Sequence, residues 1–176
     1  VDGWFALHER WGRLAMSDVL EAPISYANNG FPLTPVIAAG FESNRNRFDA
    51  VASMIEERDN ATKTYFPDGV APKAGAVFKN PDLAETLTAL AKHGRSAFYE
   101  GSIARAMVDY FESIDADLTL DDLTAHRGEW VEPRGVDYHG YTLYQLPPNG
   151  QGFAALMMLN ILKQVDLRRF ERGSPE

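Results

Sequence analysis

Six residues, Pro147 to Gly152, read PPNGQG, and the apolar run FAALMMLNIL follows at once. Two prolines stiffen the approach and two glycines permit close backbone contact, so the stretch reads as a tight strand-to-helix connection. The run behind it has the length of a helix and very few polar positions. Such a helix asks for burial, here through Phe153, Leu156, Met157 and Ile161. Its first turn would have little freedom to open around a ligand. A Walker loop would need Lys and Ser/Thr after the last glycine, where Phe153 and Ala154 stand. A dinucleotide fingerprint would need a third glycine, where Ala155 stands, and a flanking βαβ unit that the pattern lacks. The turn is therefore expected to be architectural, with Gly150 at positive φ, and to bind no phosphate or nucleotide. Asn149 and Gln151 are its candidate substrate-binding residues, because an amide beside a helix N-terminus can hydrogen-bond a carboxylate or an amide.

The rest of the chain divides into short helices. Trp4, Leu7, Trp11 and Leu14 recur at three and four and mark one face of a first helix. Ser17 is placed to cap a short second helix interrupted at Pro23 and ended by Asn28-Asn29-Gly30. Thr34-Pro35 opens a third. Arg45, Asn46, Arg47, Glu56, Glu57 and Arg58 read as solvated polar positions. YFPDGVAPKAG is a loop whose Pro-Asp-Gly suits a tight turn. Asn80-Pro81 opens a helix with a stripe of Leu83, Leu87, Leu90 and Ala91, ended by Gly94. Another begins near Ser102, with Ile103, Met107, Tyr110 and Ile114 on one face. Thr119 and Asp122 have capping-box spacing, with Asp in place of Glu or Gln. Val136–Tyr138 and Tyr141–Gln145 alternate around His139-Gly140 and predict a hairpin. The fold class is mostly α with a small β-hairpin. The expected core is Leu83, Leu87, Leu90, Ile103, Met107, Tyr110, Phe153, Leu156 and Ile161.

Composition narrows function by exclusion. Seventeen basic against 25 acidic residues leave a formal net charge of -8, which repels nucleic acid. No apolar run is long enough to predict a membrane-spanning segment. Without cysteine there is neither a disulfide framework nor thiolate chemistry, though the compartment stays open between periplasmic or extracellular and cytoplasmic. His8, His93, His126 and His139 lie far apart, so no metal site is expected. Asp115, Asp117, Asp121 and Asp122 lack the glycine and the terminal glutamate of a calcium loop. Ser96 and Ser102 have no nucleophile-elbow context. Residue by residue, no catalytic constellation and no cofactor site emerge.

Several stretches in order nevertheless resemble the gamma-glutamyltranspeptidase family of N-terminal nucleophile hydrolases. They are APISYANNGFPLTPVIA, FPDGVAPKAGAVFKNPDLAETLTALAKHG, AFYEGSIARAM, LTLDDLTAHRGEW and VDYHGYTLYQLPPNGQGFAALMMLNIL. The resemblance covers Trp4 to Asp166, with FYxGxIA and YxGYxxYxxPPxxxG its most distinctive parts. It implies that residues 1–176 are a single fragment of the large subunit, incomplete at both ends, and the helical part of an αββα sandwich. The absence of an initiator Met and the helical start at VDGWFALHERW accord with an internal or processed piece; a complete small protein is the alternative.

The resemblance also implies a proenzyme that cuts itself in two. A Thr freed at the start of the small subunit would be the nucleophile, with its own amine as base. The gamma-glutamyl group would pass through an acyl-enzyme to water, an amino acid or a peptide. Both the Thr and the family's substrate-clamping Arg fall outside the matched region, so Arg10, Arg13 and Arg45 inherit no role and the isolated piece is expected to be inactive. Its partners would be the small subunit and a gamma-glutamyl or related amide substrate, and a fragment of this kind is open to self-association through exposed core surface. Many members carry Ser-Ser-Gly-Gly after the prolines, where this chain has Asn149-Gly150-Gln151-Gly152. That departure leaves an acylase for another amide, as for cephalosporin side chains, as the alternative. A non-catalytic helical interaction module is the rival class.

Overall fold

The computed structural model describes residues 1–55 and 58–173. The chain divides into two compact units, Val1–Arg127 and Gly128–Glu176. It is mostly helical, with two small antiparallel sheets among the described residues.

The first unit begins with α1 (Asp2–Trp11) and α2 (Met16–Asn29). A two-residue strand, β1 (Phe31–Pro32), leads to α3 (Pro35–Ala50). After a 3-10 turn at Ala52–Met54 come α4 (Asp59–Tyr65), a second 3-10 turn at Pro67–Gly69 and β2 (Val77–Phe78). Four helices complete it: α5 (Pro81–His93), α6 (Arg95–Tyr99), α7 (Ser102–Ser113) and α8 (Leu120–Ala125). The boundaries follow local chemistry. The Thr34 hydroxyl accepts from Ile37 N–H and the Asn80 amide oxygen from Leu83 N–H, each with proline at the first turn. Thr119 and Asp122 exchange side-chain and backbone bonds as a complete capping box. Gly94 closes α5 at φ +69, where a Cβ would be strained.

Packing then corrects several expectations. Helix α2 runs unbroken through Pro23, with Ala15 rather than Ser17 as its N-cap. Leu20 and Ala27 are buried on either side of the proline and α2 lies along α5, so tertiary contact outweighs the lost backbone bond. The centre of the core is Leu20, Leu87, Leu90 and Ala97, with Phe5, Ile24 and Ile103 against it. The stripe on α5 is Ala84, Leu87 and Leu90, while Leu83 is 45% exposed. Phe5 carries the buried side of α1, and Trp4, Leu7 and Trp11 face outward; Leu14 falls beyond the helix end. On α7 the fully buried residue is Ala104, and Tyr110 is exposed.

The β1–β2 pair, with Phe31 opposite Phe78, has no local sequence signal because its strands are two residues long and distant in sequence. It sits in a chain of rings: Tyr26, Phe31, Phe78, Phe41, Tyr65, Phe66 and Phe48. Arg45 and Arg58, expected to be solvated, belong to this cluster. Arg45 pairs with Asp49 at 2.8 Å, donates to the Gly69 carbonyl and lies over Phe66. Arg58 pairs with the same carboxylate at 3.0 Å and lies over Phe48. Asn46 and Arg47 are exposed as expected, whereas Glu56 and Glu57 lie outside the described residues.

The second unit is the hairpin β3 (Arg134–Tyr138) and β4 (Tyr141–Gln145), followed by α9 (Gly152–Leu162) and a 3-10 turn at Leu167–Arg169. Val136 faces Leu143 and Tyr138 faces Tyr141 across the ladder. His139 (φ 50) and Gly140 (φ 85) make a left-handed two-residue turn that suits the strand twist. Helix α9 packs on both strands, yet Leu156 alone of its residues is buried; Phe153, Met157 and Ile161 are exposed, contrary to expectation.

Candidate functional site

The turn Pro147–Gly152 joins β4 to α9, as the sequence pattern implies. Gln151 is the N-cap residue of α9 and makes no side-chain cap bond; the first backbone bond there runs from Ala154 N–H to the Gln151 carbonyl. Asn149 and Gln151 are both exposed. Among the described residues neither side chain hydrogen-bonds another group, which leaves both amides available beside the start of the helix.

The two glycines do different work. A Cβ on Gly152 would lie 2.8 Å from both Cβ and Oε1 of Gln145 and 3.2 Å from the Leu146 carbonyl. The helix start is pressed against the end of β4, and only glycine allows that approach. Gly150 has open space around it and its φ is not positive, which corrects the expectation that it holds the left-handed position.

The other candidates are held in structural roles. Nε2–H of His8 donates to the Leu14 carbonyl at 2.7 Å. His126 stacks on Tyr99 at 5.2 Å, His139 forms the hairpin turn and His93 ends α5. Ser96 donates to the His93 carbonyl, and Ser102 opens α7. Among the described residues no group of three His, Cys, Asp or Glu is placed to hold a metal, and no helix is long and apolar enough to cross a membrane.

The carboxyls of Asp49 and Asp122 have shifted affinities, and both are structural. Hydrogen bonding from Arg45, then the charges of Arg45 and Arg58, hold Asp49 below the usual carboxylate range. The hydroxyl and backbone N–H of Thr119 do the same for Asp122. What the turn offers chemically is recognition by the neutral amides of Asn149 and Gln151.

The chain matches the family described as Gamma-glutamyltranspeptidase over residues 1–176. It belongs to that family. A glutathione hydrolase-like proenzyme, YwrD of Bacillus subtilis, is 42% identical over 176 residues, covering 100% of this chain and 32% of the relative. The crystal structure of a cephalosporin acylase from Bacillus halodurans superposes with a TM-score of 0.86 at 32% identity, covering 98% of this chain and 32% of that one. A gamma-glutamyltranspeptidase from Pseudomonas nitroreducens gives 0.78 at 30% identity, over 99% and 50%. The chain thus spans about a third of the length of the Bacillus subtilis relative and of the acylase chain, and half of the Pseudomonas nitroreducens chain.

Proposed function

We propose that this chain is the helical part of the large subunit of a self-processing gamma-glutamyltranspeptidase-like enzyme, incomplete at both ends. The observation that carries the reading is the 42% identity, sustained over the whole chain, to a relative named as a glutathione hydrolase-like proenzyme. The chemistry would belong to a Thr at the start of the small subunit, outside this chain. Its amine would take the hydroxyl proton as its oxygen attacks the gamma-glutamyl carbonyl, then return that proton to the substrate nitrogen, so that the C–N bond breaks and a neutral amine leaves. Water or an acceptor amine then releases the acyl group. Backbone N–H groups of that subunit would stabilise the tetrahedral oxyanion.

Residues 1–176 would supply scaffold and one edge of the substrate cleft. Asn149 and Gln151 are the proposed contacts there, because both amides are exposed and unengaged beside the helix N-terminus. The exposed face of α9, with Phe153, Met157 and Ile161, is proposed to meet the remainder of the precursor. The same face would make an isolated piece self-associate. An acylase for a different amide is the second reading, favoured by Asn-Gly-Gln-Gly after the prolines and by the likeness to a cephalosporin acylase.

The test incubates the full-length protein with a gamma-glutamyl anilide and, separately, a glutaryl anilide, following released amine. Faster turnover of the first supports the transpeptidase reading and of the second the acylase. No turnover of either by a full-length protein that has no Thr at a self-cleavage junction leaves the interaction module. Residues 1–176 alone should release no amine above background.

A further inference from the structure

The ring cluster of the first unit does not close on itself. Phe41, Asn44, Phe48, Ala61, Tyr65 and Phe66 surround a recess of about 360 Å³ between α3 and α4. Apolar side chains that border empty space ordinarily move in to fill it, because packing to crystal density is favourable. Here the walls are braced from outside. Arg45 lies 5.4 Å over Phe66 and Arg58 5.2 Å over Phe48, and one carboxylate, Asp49, fixes both guanidiniums. On the other side Phe41 packs on Phe78 at 5.2 Å, and Tyr65 stacks on the same ring within 9° of parallel. The recess is held open by groups that do not enter it.

Its chemistry is specific. Four aromatic rings present faces and edges that suit a flat apolar guest. Arg45 and Arg58 pair with Asp49, Arg45 also donates to the Gly69 carbonyl, and none of the described residues lining the recess is charged. The Asn44 amide lines the recess with no hydrogen-bond partner among the described residues, and it can both donate and accept. An engineered apolar cavity of about 150 Å³ suffices for benzene. Here there is room for a ring and a substituent that reaches Asn44. A larger cleft nearby, about 590 Å³ and lined by Glu42, Arg45 and Asp49, offers less, since its arginine and Asp49 already pair with each other.

We propose that this recess is a binding site for a small neutral aromatic compound carrying one amide, the ring between Phe41, Phe48, Tyr65 and Phe66 and the amide paired with Asn44. The site lies wholly within residues 1–127 and stands apart from the acyl-transfer reading, so either can fail alone.

The experiment titrates the full-length protein with 4-fluorobenzamide, observing the ligand by fluorine NMR, with 4-fluorotoluene as the amide-free comparison. Saturable binding of both probes is expected. Ala61→Phe, which fills the recess from α4, should weaken both by at least about tenfold. Asn44→Ala, at an exposed position, should weaken 4-fluorobenzamide by about fivefold, the loss of one neutral hydrogen bond, and leave 4-fluorotoluene unchanged. Should Ala61→Phe misfold, Ala61→Leu takes its place, and the Asn44 comparison needs neither. No saturable binding to the folded protein would overturn the site, as would binding that a folded Ala61 variant leaves intact. Equal loss of both probes in Asn44→Ala would overturn the amide pairing.

Discussion

Helices α5 and α9 are built from similar apolar residues and end in opposite situations. On α5, Ala84, Leu87 and Leu90 lie against α2 with Leu90 only 1% exposed, and the polar residues Asp82, Glu85 and Lys92 lie on other faces. That is an amphipathic helix completed by its neighbour. On α9, apolar residues run all the way round, yet the hairpin covers only the side that holds Leu156, and Ile161 is 64% exposed. A helix apolar on every side belongs between two layers, and in the second unit one layer is present. The contrast teaches that composition sets how much surface a helix must bury, while the fold decides how many neighbours supply it.

The largest effect expected is on α5. Leu90→Ala should cost about 2–5 kcal/mol, read as a lower denaturant midpoint at unchanged slope. Ile161→Ala should stay within about 0.5 kcal/mol in residues 1–176. Made in the full-length protein it should cost clearly more, since there we expect α9 to be covered. Equal costs in both settings would remove the proposed second layer.

The turn sharpens the comparison next. Gly152→Val should destabilise the second unit by about 1–3 kcal/mol, because Gln145 and the Leu146 carbonyl occupy the space. Gly150→Val should stay within about 0.5 kcal/mol, having nothing nearby to meet. Hydrogen exchange of β4 amides in the two variants separates them.

Smaller still is the cap of α5. Asn80→Ala should cost about 0.5–2 kcal/mol, seen as a lower Tm, with exchange loosened in the first turn. The smallest effect is on pH. Folding lowers the carboxyl pKa of Asp49 and Asp122, so their contribution is complete above the unfolded value near 3.9 and disappears as pH falls through the folded values. Asp122→Asn should therefore flatten the stability profile below about pH 4. An unchanged profile would mean that the Thr119 bonds do not persist in solution.

Features whose chemistry is local could be read from the residues. Thr34, Asn80, Thr119 with Asp122 and Gly94 each satisfy a helix end with atoms a few positions away, and His139-Gly140 needs only its own backbone. Features set by distant partners could not. Pro23 sits inside a helix because α5 holds both its flanks, and Leu83 lost its place to Ala84 because the axis of α2 chose the face. Of two glycines in PPNGQG, the one that matters was decided by where Gln145 lies. Asn149 and Gln151 are candidates on the pattern alone, whereas the braced recess has no pattern to mark it, since its residues gather from two helices with no motif between them.

The central claim concerns chemistry beyond this chain, and intact-mass spectrometry of the full-length protein after brief exposure to a gamma-glutamyl anilide tests it most directly. The account predicts two polypeptides, with residues 1–176 in the first and the mass of one acyl group on the N-terminal Thr of the second. A single uncleaved polypeptide, or two that stay unmodified while no amine is released, would contradict it.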